Sequence, residues 1–166
     1  VRVKGSTNRS RSVFVLNENV DVVIDGNIAA SSGKTVYIIA AGNIKIAKGV
    51  NYINAVLISK KRIITCTEDD GSLIPKNQLY NQCGGNDPDR KLVIRGAVIA
   101  QELKLLRTYG TRLLSQQNEG YSTGSPNAAA EEIIFDPTLY TTNPAIKTPE
   151  KANTQIDFIT SLPPIL

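Results

Sequence analysis

An apolar run that ends in Gly-Asn-Ile occurs twice at short range, as VVIDGNI at 22–28 and IIAAGNI at 38–44. Two further segments share its form, AVLISKKRIITC at 55–66 and LVIRGAVIAQELKL at 92–105. Each has a short β-branched run, a break at glycine or lysine, and a second apolar run. Repeats at such short intervals are typical of solenoids, in which each unit buries its apolar side only against its neighbours.

Within these segments apolar and other residues alternate, as in Ile44-Lys45-Ile46, and this two-residue period indicates strands. Gly26 and Gly42 are interpreted as equivalent corners, beside which Asn27 and Asn43 tolerate left-handed backbone. The predicted fold is all-β, a parallel β-solenoid of about four to five short rungs. Two columns of stacked residues are expected: Ile24, Ile38, Ile58 and Ile94 in one, and Ile28, Ile44, Ile63 and Val98 in the other.

Two alternatives to this fold stay open on the sequence. A β-sandwich of antiparallel hairpins also uses short alternating strands, whereas an α/β fold needs longer connections for its crossover helices. The run AQELKLLRTYG favours a strand through Leu106, and a helix over 100–109 is the alternative because Leu103, Leu106 and Leu113 share a helical face.

The solenoid is predicted to span 1–114, with a loop insertion at 67–90. The remainder, 115–166, is expected to be a linker, a short helix and a proline-rich extended strap. The helix is predicted over NAAAEEIIF, ending before Asp136-Pro137, and is expected to cap the coil through Ile133 and Phe135. The strap is expected to pack along the solenoid through Ile156, Phe158 and Ile159.

Cys66 and Cys83 are the chain's two cysteines and bracket a polar stretch. With no CxxC motif and no histidine, the pair indicates one disulfide better than a metal or redox site. Two unrelated buried thiols are the alternative. A disulfide predicts an oxidising compartment, and so an extracellular or cell-surface location.

A resemblance rests on the order of several motifs: AVLIS, the Cys-bracketed insertion, LVIRGAVIAQELKLLRTYG, AAAEEIIFDPTLY and the terminal LPPIL. Their order resembles the C-terminal region of uncharacterised exported β-solenoid proteins of candidate-phyla bacteria. The segments at 20–66 and 92–108 also look like the cores of bactofilin-like polymer-forming solenoids. The resemblance implies a solenoid at the cell surface and brings no catalytic residues with it.

The chain lacks histidine, which removes the commonest general base and the Ser-His and Cys-His nucleophile pairs. Asp21 and Asp25 are expected to face outward, about 13 Å apart along a strand, which is too far for a glycosidase carboxylate pair. We therefore predict no enzymatic activity and no cofactor, with a polysaccharide lyase as the enzymatic alternative.

The best metal candidate is an acidic loop. Glu68, Asp69 and Asp70 precede the stretch that contains Asp87 and Asp89, and a disulfide brings the two halves closer together. Calcium prefers several oxygen ligands on a flexible loop. The simpler interpretation is a charged, solvated loop.

The charge pattern points to a surface and not to nucleic acid. The net charge of +4 is scattered, with no basic stripe interleaved with aromatics. Lys45, Lys48, Lys60, Lys61 and Arg62 are candidates for an outer basic stripe that contacts anionic cell-wall polymer, or one that only prevents aggregation. Tyr80, with Lys60, Lys61 and Arg62, is the candidate partner contact, and no membrane-spanning segment is expected.

The expected function is a non-catalytic structural or assembly module that pairs with other copies or with neighbouring parts of its parent protein, forming filaments or a surface layer. The alternative is an adhesin-like module that binds glycan or cell-wall polymer through the loop at 67–82.

Overall fold

The computed structural model describes residues 1–84, 91–108 and 129–136. This part of the chain contains eight strands and one short helix, and every pairing between strands is parallel. The elements are β1 Arg2–Thr7, β2 Arg11–Val15, β3 Val22–Ala30, β4 Val36–Ala40, β5 Ile44–Ala47, β6 Tyr52–Thr67, α1 Leu79–Cys83, β7 Leu92–Lys104 and β8 Glu131–Phe135.

The strands form three stacks, because successive coils pair segment by segment. In the first stack Val22 pairs with Ile44, Ile44 with Ile63, and Ile63 with Leu103. In the second, Ile28 pairs with Ile53, Ile53 with Ile94, and Ile94 with Ile133. In the third, Val13 is followed by Ile38, Leu57 and Val98. The described residues thus contain four full coils and two sides of a fifth, which confirms the parallel β-solenoid and excludes the antiparallel sandwich.

All three stacks contribute side chains to one core between them. Ile24, Ile38, Ile53 and Leu57 are each 0 % exposed and belong to a single hydrophobic cluster. Branched side chains suit this interior because they pack well on a pleated surface and lose little rotamer freedom there. Burial of such side chains is the main source of stability for a coil with no helical layer.

The two Gly-Asn-Ile motifs do not lie at equivalent corners, contrary to the sequence-based expectation. Gly26 lies within β3 at the corner between the first and second stacks, whereas Gly42 lies between β4 and β5, where the third stack leads back to the first. Close approach explains the glycine at both places. A Cβ at Gly42 would lie 2.3 Å from the Val20 carbonyl oxygen, and one at Gly26 would lie 3.0 Å from Lys4 Cβ.

The asparagines after these glycines bridge neighbouring coils. Neither has a positive φ, so left-handed tolerance is not their role. Asn27 Oδ1 accepts hydrogen bonds from the backbone N–H groups of Asn51 (3.0 Å) and Tyr52 (3.1 Å), one coil further on. Asn43 donates through its backbone N–H (3.0 Å) and its side-chain Nδ2 (2.8 Å) to Asp21, one coil back. The motif recurs because a corner exposes backbone donors that a neighbouring side chain satisfies.

The predicted residue columns are only partly correct. Ile44 pairs with Ile63 as expected. Ile24 pairs with Ile46 instead of aligning with Ile38, and Ile38 pairs with Leu57 instead of Ile58. The error came from treating the two Gly-Asn-Ile corners as equivalent. Aligning Gly26 with Gly42 matches strands of one coil with strands that belong to a different stack in the next coil.

The predicted helix over 127–135 is wrong for its described part, because residues 131–135 form β8, which pairs with β7 in the second stack. The alanine run suggested a helix, but β-branched Ile133 and Ile134 find paired neighbours in the sheet. The coil therefore continues beyond the predicted boundary at 114. The strand interpretation of the 92–106 region is confirmed as far as Lys104, and the helix over 100–109 is wrong. The predicted strap, with Ile156, Phe158 and Ile159, lies outside the described residues.

Candidate functional site

The N-terminal end of the coil is an edge of parallel strands. Among the described residues, β1 pairs only with β3, and β2 only with β4. Arg11 N–H donates to Thr35 O (2.9 Å), and Val15 O accepts from Ala41 N–H (2.8 Å). Since alternate residues of a parallel strand direct their backbone groups to opposite sides, Ser12 and Phe14 direct theirs away from the coil. The same alternation directs the backbone groups of Ser6 outward from β1.

The interior of the first coil is open at this end. Val3 and Val13 pack on the main core while remaining partly exposed. They line, together with Ile28 and Val36, a cleft of about 240 Å³. This end therefore presents unpaired backbone groups around an accessible apolar centre.

The opposite end has the same construction. Its last strand segments are the end of β7 in the first stack and β8 in the second, each paired on one side within the described part of the chain. Inward-facing side chains of this coil are exposed, at 41 % for Leu103, 41 % for Ile133 and 64 % for Phe135. Within the described residues, both ends thus present edges of parallel strands together with exposed apolar side chains.

The cysteine-bracketed insertion leaves the coil at the corner between the first and second stacks. Cys66 and Cys83 form the predicted disulfide, with Cα atoms 6.0 Å apart. The two cysteines pack with Ile74, Leu79 and Leu106 in a small separate cluster. The loop folds back over the outer side of the first stack, where a Cβ on Gly71 would lie 2.6 Å from the Val23 side chain.

Removing the disulfide is expected to loosen this insertion and leave the coil folded. The bridge joins residues separated by 17 positions, and closing such a loop contributes about 3 kcal/mol to the free energy of unfolding. The double variant Cys66→Ser/Cys83→Ser should show this loss in urea denaturation, with far-ultraviolet circular dichroism unchanged before the transition. An unchanged urea midpoint would show that the loop is held without the bridge.

Two of the three described carboxylates of the calcium candidate, Glu68 and Asp70, have protein partners. Lys48 Nζ lies 2.6 Å from both Glu68 Oε2 and Gln82 Oε1. Asp70 Oδ1 accepts from the Ser72 N–H at 2.8 Å, and hydrogen bonds from Ser72 lower the pKa of Asp70 below its usual value. Within the described residues no three His, Cys, Asp or Glu side chains form a metal-binding group. Asp87 and Asp89 lie outside the described residues.

The five basic residues of the predicted stripe are individually paired. Lys45 binds Asp21 (2.9 Å), Lys48 binds Glu68, Lys60 binds Glu18, and Arg62 Nε lies 2.5 Å from Glu102. Lys61 donates to the Glu18 carbonyl at 2.9 Å. The pairs of Lys45, Lys48 and Arg62 join neighbouring coils, and the contacts of Lys60 and Lys61 with Glu18 span two coils. This surface is therefore a set of compensated charges and not an uncompensated cationic patch. Tyr80, the other candidate contact, lies in α1.

The two aspartates examined for catalysis occupy different surroundings. Asp21 is half-exposed; burial raises its pKa, but hydrogen bonds from Lys45 and Asn43 outweigh this and keep the pKa below its usual value. Asp25 is shielded from solvent, because its side chain is only 7 % exposed and lies 3.5 Å from Arg2 Nη1. The two aspartates therefore lie at different corners of the coil and do not form a common site.

Arg107 and Glu131 form a buried polar clasp with Thr65 at the corner of the last coils. Arg107 is 6 % exposed and donates to the carbonyls of Thr65 (2.9 Å) and Ala47 (3.0 Å). Glu131 Oε1 accepts from the Arg107 N–H and from Thr65 Oγ1, both at 2.6 Å. Thr65 Oγ1 accepts from the Leu106 N–H at 2.9 Å. The clasp ties the start of β8 to β6 and to the segment that follows β7.

Burial shifts the pKa values of both ionisable members of the clasp towards their neutral forms. Burial lowers the pKa of the Arg107 guanidinium to about 10, opposed by attraction to Glu131. Burial raises the pKa of Glu131, opposed by the hydrogen bonds from Thr65 and Arg107. Since the cluster binds backbone carbonyls and its own members, its geometry indicates a structural role.

No helix in the described part of the chain is long and apolar enough to span a membrane. The chain matches no family model, no curated protein and no solved structure.

Sequence reasoning missed two features, the clasp and an apolar outer surface on the third stack. The surface had a visible signal: VYIIA at 36–40 and AVIA at 97–100 are apolar at both inward and outward positions, which in an exposed sheet is unusual. The clasp had none, because Thr65, Arg107 and Glu131 are far apart in the chain.

Proposed function

We propose that this chain is a non-catalytic structural module that assembles head to tail, the N-terminal edge of one copy pairing with the C-terminal edge of the next. The observation that carries the proposal is that the described coil ends in parallel strand edges on both sides. Exposed edges are templates for pairing with another chain. A parallel coil is suited to this because the strands of the next copy can extend the stacks that end at its edge.

Apolar surface at the two ends supports the same function. Leu103, Ile133 and Phe135 at one end face the side on which another coil would lie, and Val3 and Val13 at the other border an open cleft. Stacking removes these side chains from water, at roughly 25 cal/mol per Å² of apolar area. In this arrangement the strand edges fix the head-to-tail orientation of the copies, and burial of the apolar side chains provides most of the affinity between them. With the disulfide, an extracellular or cell-surface assembly is the setting we propose, as in the exported solenoid proteins that the sequence resembles.

The test uses one position on the free edge. Ser12→Pro removes a backbone N–H that points away from β4, so the coil keeps its own hydrogen bonds and loses one for the next copy. Ser12→Ala is the matched control, because it removes the hydroxyl and keeps the N–H. We expect the intact chain and Ser12→Ala to form concentration-dependent assemblies in sedimentation and electron microscopy, and Ser12→Pro to remain largely monomeric.

Two results would count against the proposal. One is an intact chain that stays monomeric over a wide concentration range. The other is a Ser12→Pro variant, shown by circular dichroism to be folded, that assembles as well as Ser12→Ala. Adding Ser6→Pro with its control Ser6→Ala extends the test to the second stack.

The adhesin-like alternative remains a binding proposal for the loop at 67–82. It is favoured only by the position of this loop outside the coil, where it is held by the disulfide. Deleting 67–82 should then abolish binding to purified cell wall, and unchanged binding would exclude it.

A further inference from the structure

One column of the second stack has an isoleucine in every coil except the first. Ile28 pairs with Ile53, Ile53 with Ile94, and Ile94 with Ile133, whereas the residue of β1 that pairs with Ile28 is Gly5. The first three isoleucines are at most 2 % exposed, so the column faces the core. It therefore begins at a position without a side chain and ends at Ile133, which is 41 % exposed.

The missing side chain leaves a notch, the name used here for the cleft of about 240 Å³ at the N-terminal end of the coil. A Cβ added at Gly5 would have no heavy atom beyond its chain neighbours within 4 Å, and Gly5 has a φ of +109°, which favours glycine. The first coil turns this corner with one residue, Lys4, where the second coil uses the three residues 25–27. Ile28 lines the notch, so its core-facing side is left accessible at this end.

The size and lining of the notch favour an aliphatic side chain as its occupant. Sites for small molecules usually enclose about 300–1,000 Å³, and the notch is smaller than these. Val3, Val13, Ile28 and Val36 give it an apolar wall. Ile133 ends the same column at the opposite end of the coil, where it faces the side on which another coil would lie.

The charges of the two ends favour contact between unlike ends. Residues 1–17 contain four Lys and Arg side chains and no Asp or Glu, whereas residues 129–136, which include β8, contain three Asp and Glu side chains and no Lys or Arg. Two of these carboxylates are balanced within the coil, Glu131 by Arg107 and Glu132 by Lys91. Two N-terminal ends would bring the cations of both copies together, whereas β8 presents no such repulsion to an N-terminal end.

We propose that Ile133 of one copy fills the notch of the next copy, with β8 and β1 paired in the register that places Ile133 opposite Gly5. This inference rests on the proposed head-to-tail function and specifies the junction in the second stack. The isoleucine column then continues from copy to copy, and the apolar wall of the notch is covered. A shift by one residue would turn Ile133 to the outer side, so the notch fixes the register of the junction.

The test is a cross-link between copies. Since Ser6 follows Gly5 and Ile134 follows Ile133, the proposed register places Ser6 of one copy opposite Ile134 of its neighbour. Paired strands lie about 4.8 Å apart, a Cα separation that a disulfide spans. We expect Ser6→Cys and Ile134→Cys chains, mixed in equal amounts under mild oxidation with the native disulfide retained, to form a linked pair. Non-reducing electrophoresis and intact mass identify it.

The matched control is a mixture of Ser6→Cys with Glu132→Cys. Glu132 lies on the same side of β8 as Ile134 but two residues away, which places its Cα about 8 Å from that of Ser6 across the junction. A disulfide does not bridge this separation without movement of the backbone. Linked pairs should therefore form much more slowly in the control.

A second measurement removes the side chain that enters the notch. Ile133→Ala deletes three carbon atoms and should weaken association roughly 50-fold in sedimentation, as expected for apolar groups that lose their burial. Ile134→Ala is the control, because it makes the same change on the outer side of the same strand. Its effect on association should be much smaller.

The outcomes separate this inference from the function on which it rests. Cross-linking no faster with Ile134→Cys than with Glu132→Cys would overturn the register and leave head-to-tail assembly standing, as would equal weakening by Ile133→Ala and Ile134→Ala. Linked pairs formed mainly between two Ser6→Cys chains would show that N-terminal ends meet each other and would overturn both proposals. An intact chain that stays monomeric would also overturn both.

Discussion

Replacing Arg107 with alanine is expected to lower the free energy of unfolding by about 3–5 kcal/mol, the usual cost of removing one partner from a buried charged pair. Its guanidinium binds the carbonyls of Thr65 and Ala47 and attracts Glu131. Without it two buried acceptors lose a donor, and the carboxylate of Glu131 loses the nearby positive charge. Chemical denaturation monitored by circular dichroism measures the loss.

Arg62→Ala is the matched control for this prediction. Arg62 forms an ion pair with Glu102, but both side chains are about half exposed, so the change should cost about 0–1 kcal/mol. Equal losses for the two variants would contradict a clasp. A second check is the titration of Glu131. Its pKa should be raised further in Arg107→Ala, because the opposing positive charge is gone.

Replacing Ile38 with alanine is expected to cost about 2–5 kcal/mol, since the change leaves a cavity in a packed core. Ile38 is 0 % exposed and belongs to the cluster shared by the three stacks. Ile39→Ala is the control, because Ile39 has the same side chain on the same strand but faces the outer side of the third stack. It should cost about 1 kcal/mol or less, as expected for a partly exposed residue.

The comparison tests which side of β4 faces the core, because a one-residue shift of register exchanges the two sides. Urea denaturation of both variants gives the two losses. A larger loss for Ile39→Ala would show that the other side of β4 faces the core and would contradict the register described above.

The solenoid was predictable because its signals are local. Short β-branched runs, glycine breaks and two-residue alternation depend only on neighbouring residues. The disulfide could be predicted because the chain has a single pair of cysteines and neither a CxxC motif nor a histidine that would indicate a metal site. The columns were harder. Assigning Gly26 and Gly42 to equivalent corners was reasonable from sequence, but the corner at Gly26 is followed by two further sides before the corner at Gly42, and each coil has its own loop lengths.

The failures share a physical cause, namely dependence on residues distant in the chain. The strand at 131–135 was mistaken for a helix because its pairing partner, β7, lies much earlier in the chain. Asp25 was expected to face water, yet Arg2 of the preceding coil lies against it. The basic stripe was expected from five cations, but the pairing carboxylates of Glu18 and Glu102 come from other coils.

The most direct test of the central claim, a parallel coil of three stacks, is the order of through-space contacts between the strands at 36–40 and 56–59, measured by nuclear Overhauser effects. A parallel coil predicts the strongest contacts between Tyr37 and Val56 and between Ile39 and Ile58, continuing from Ile58 to Ile99. The reverse order, Tyr37 with Ile58 and Ile39 with Val56, would show antiparallel strands and contradict the coil.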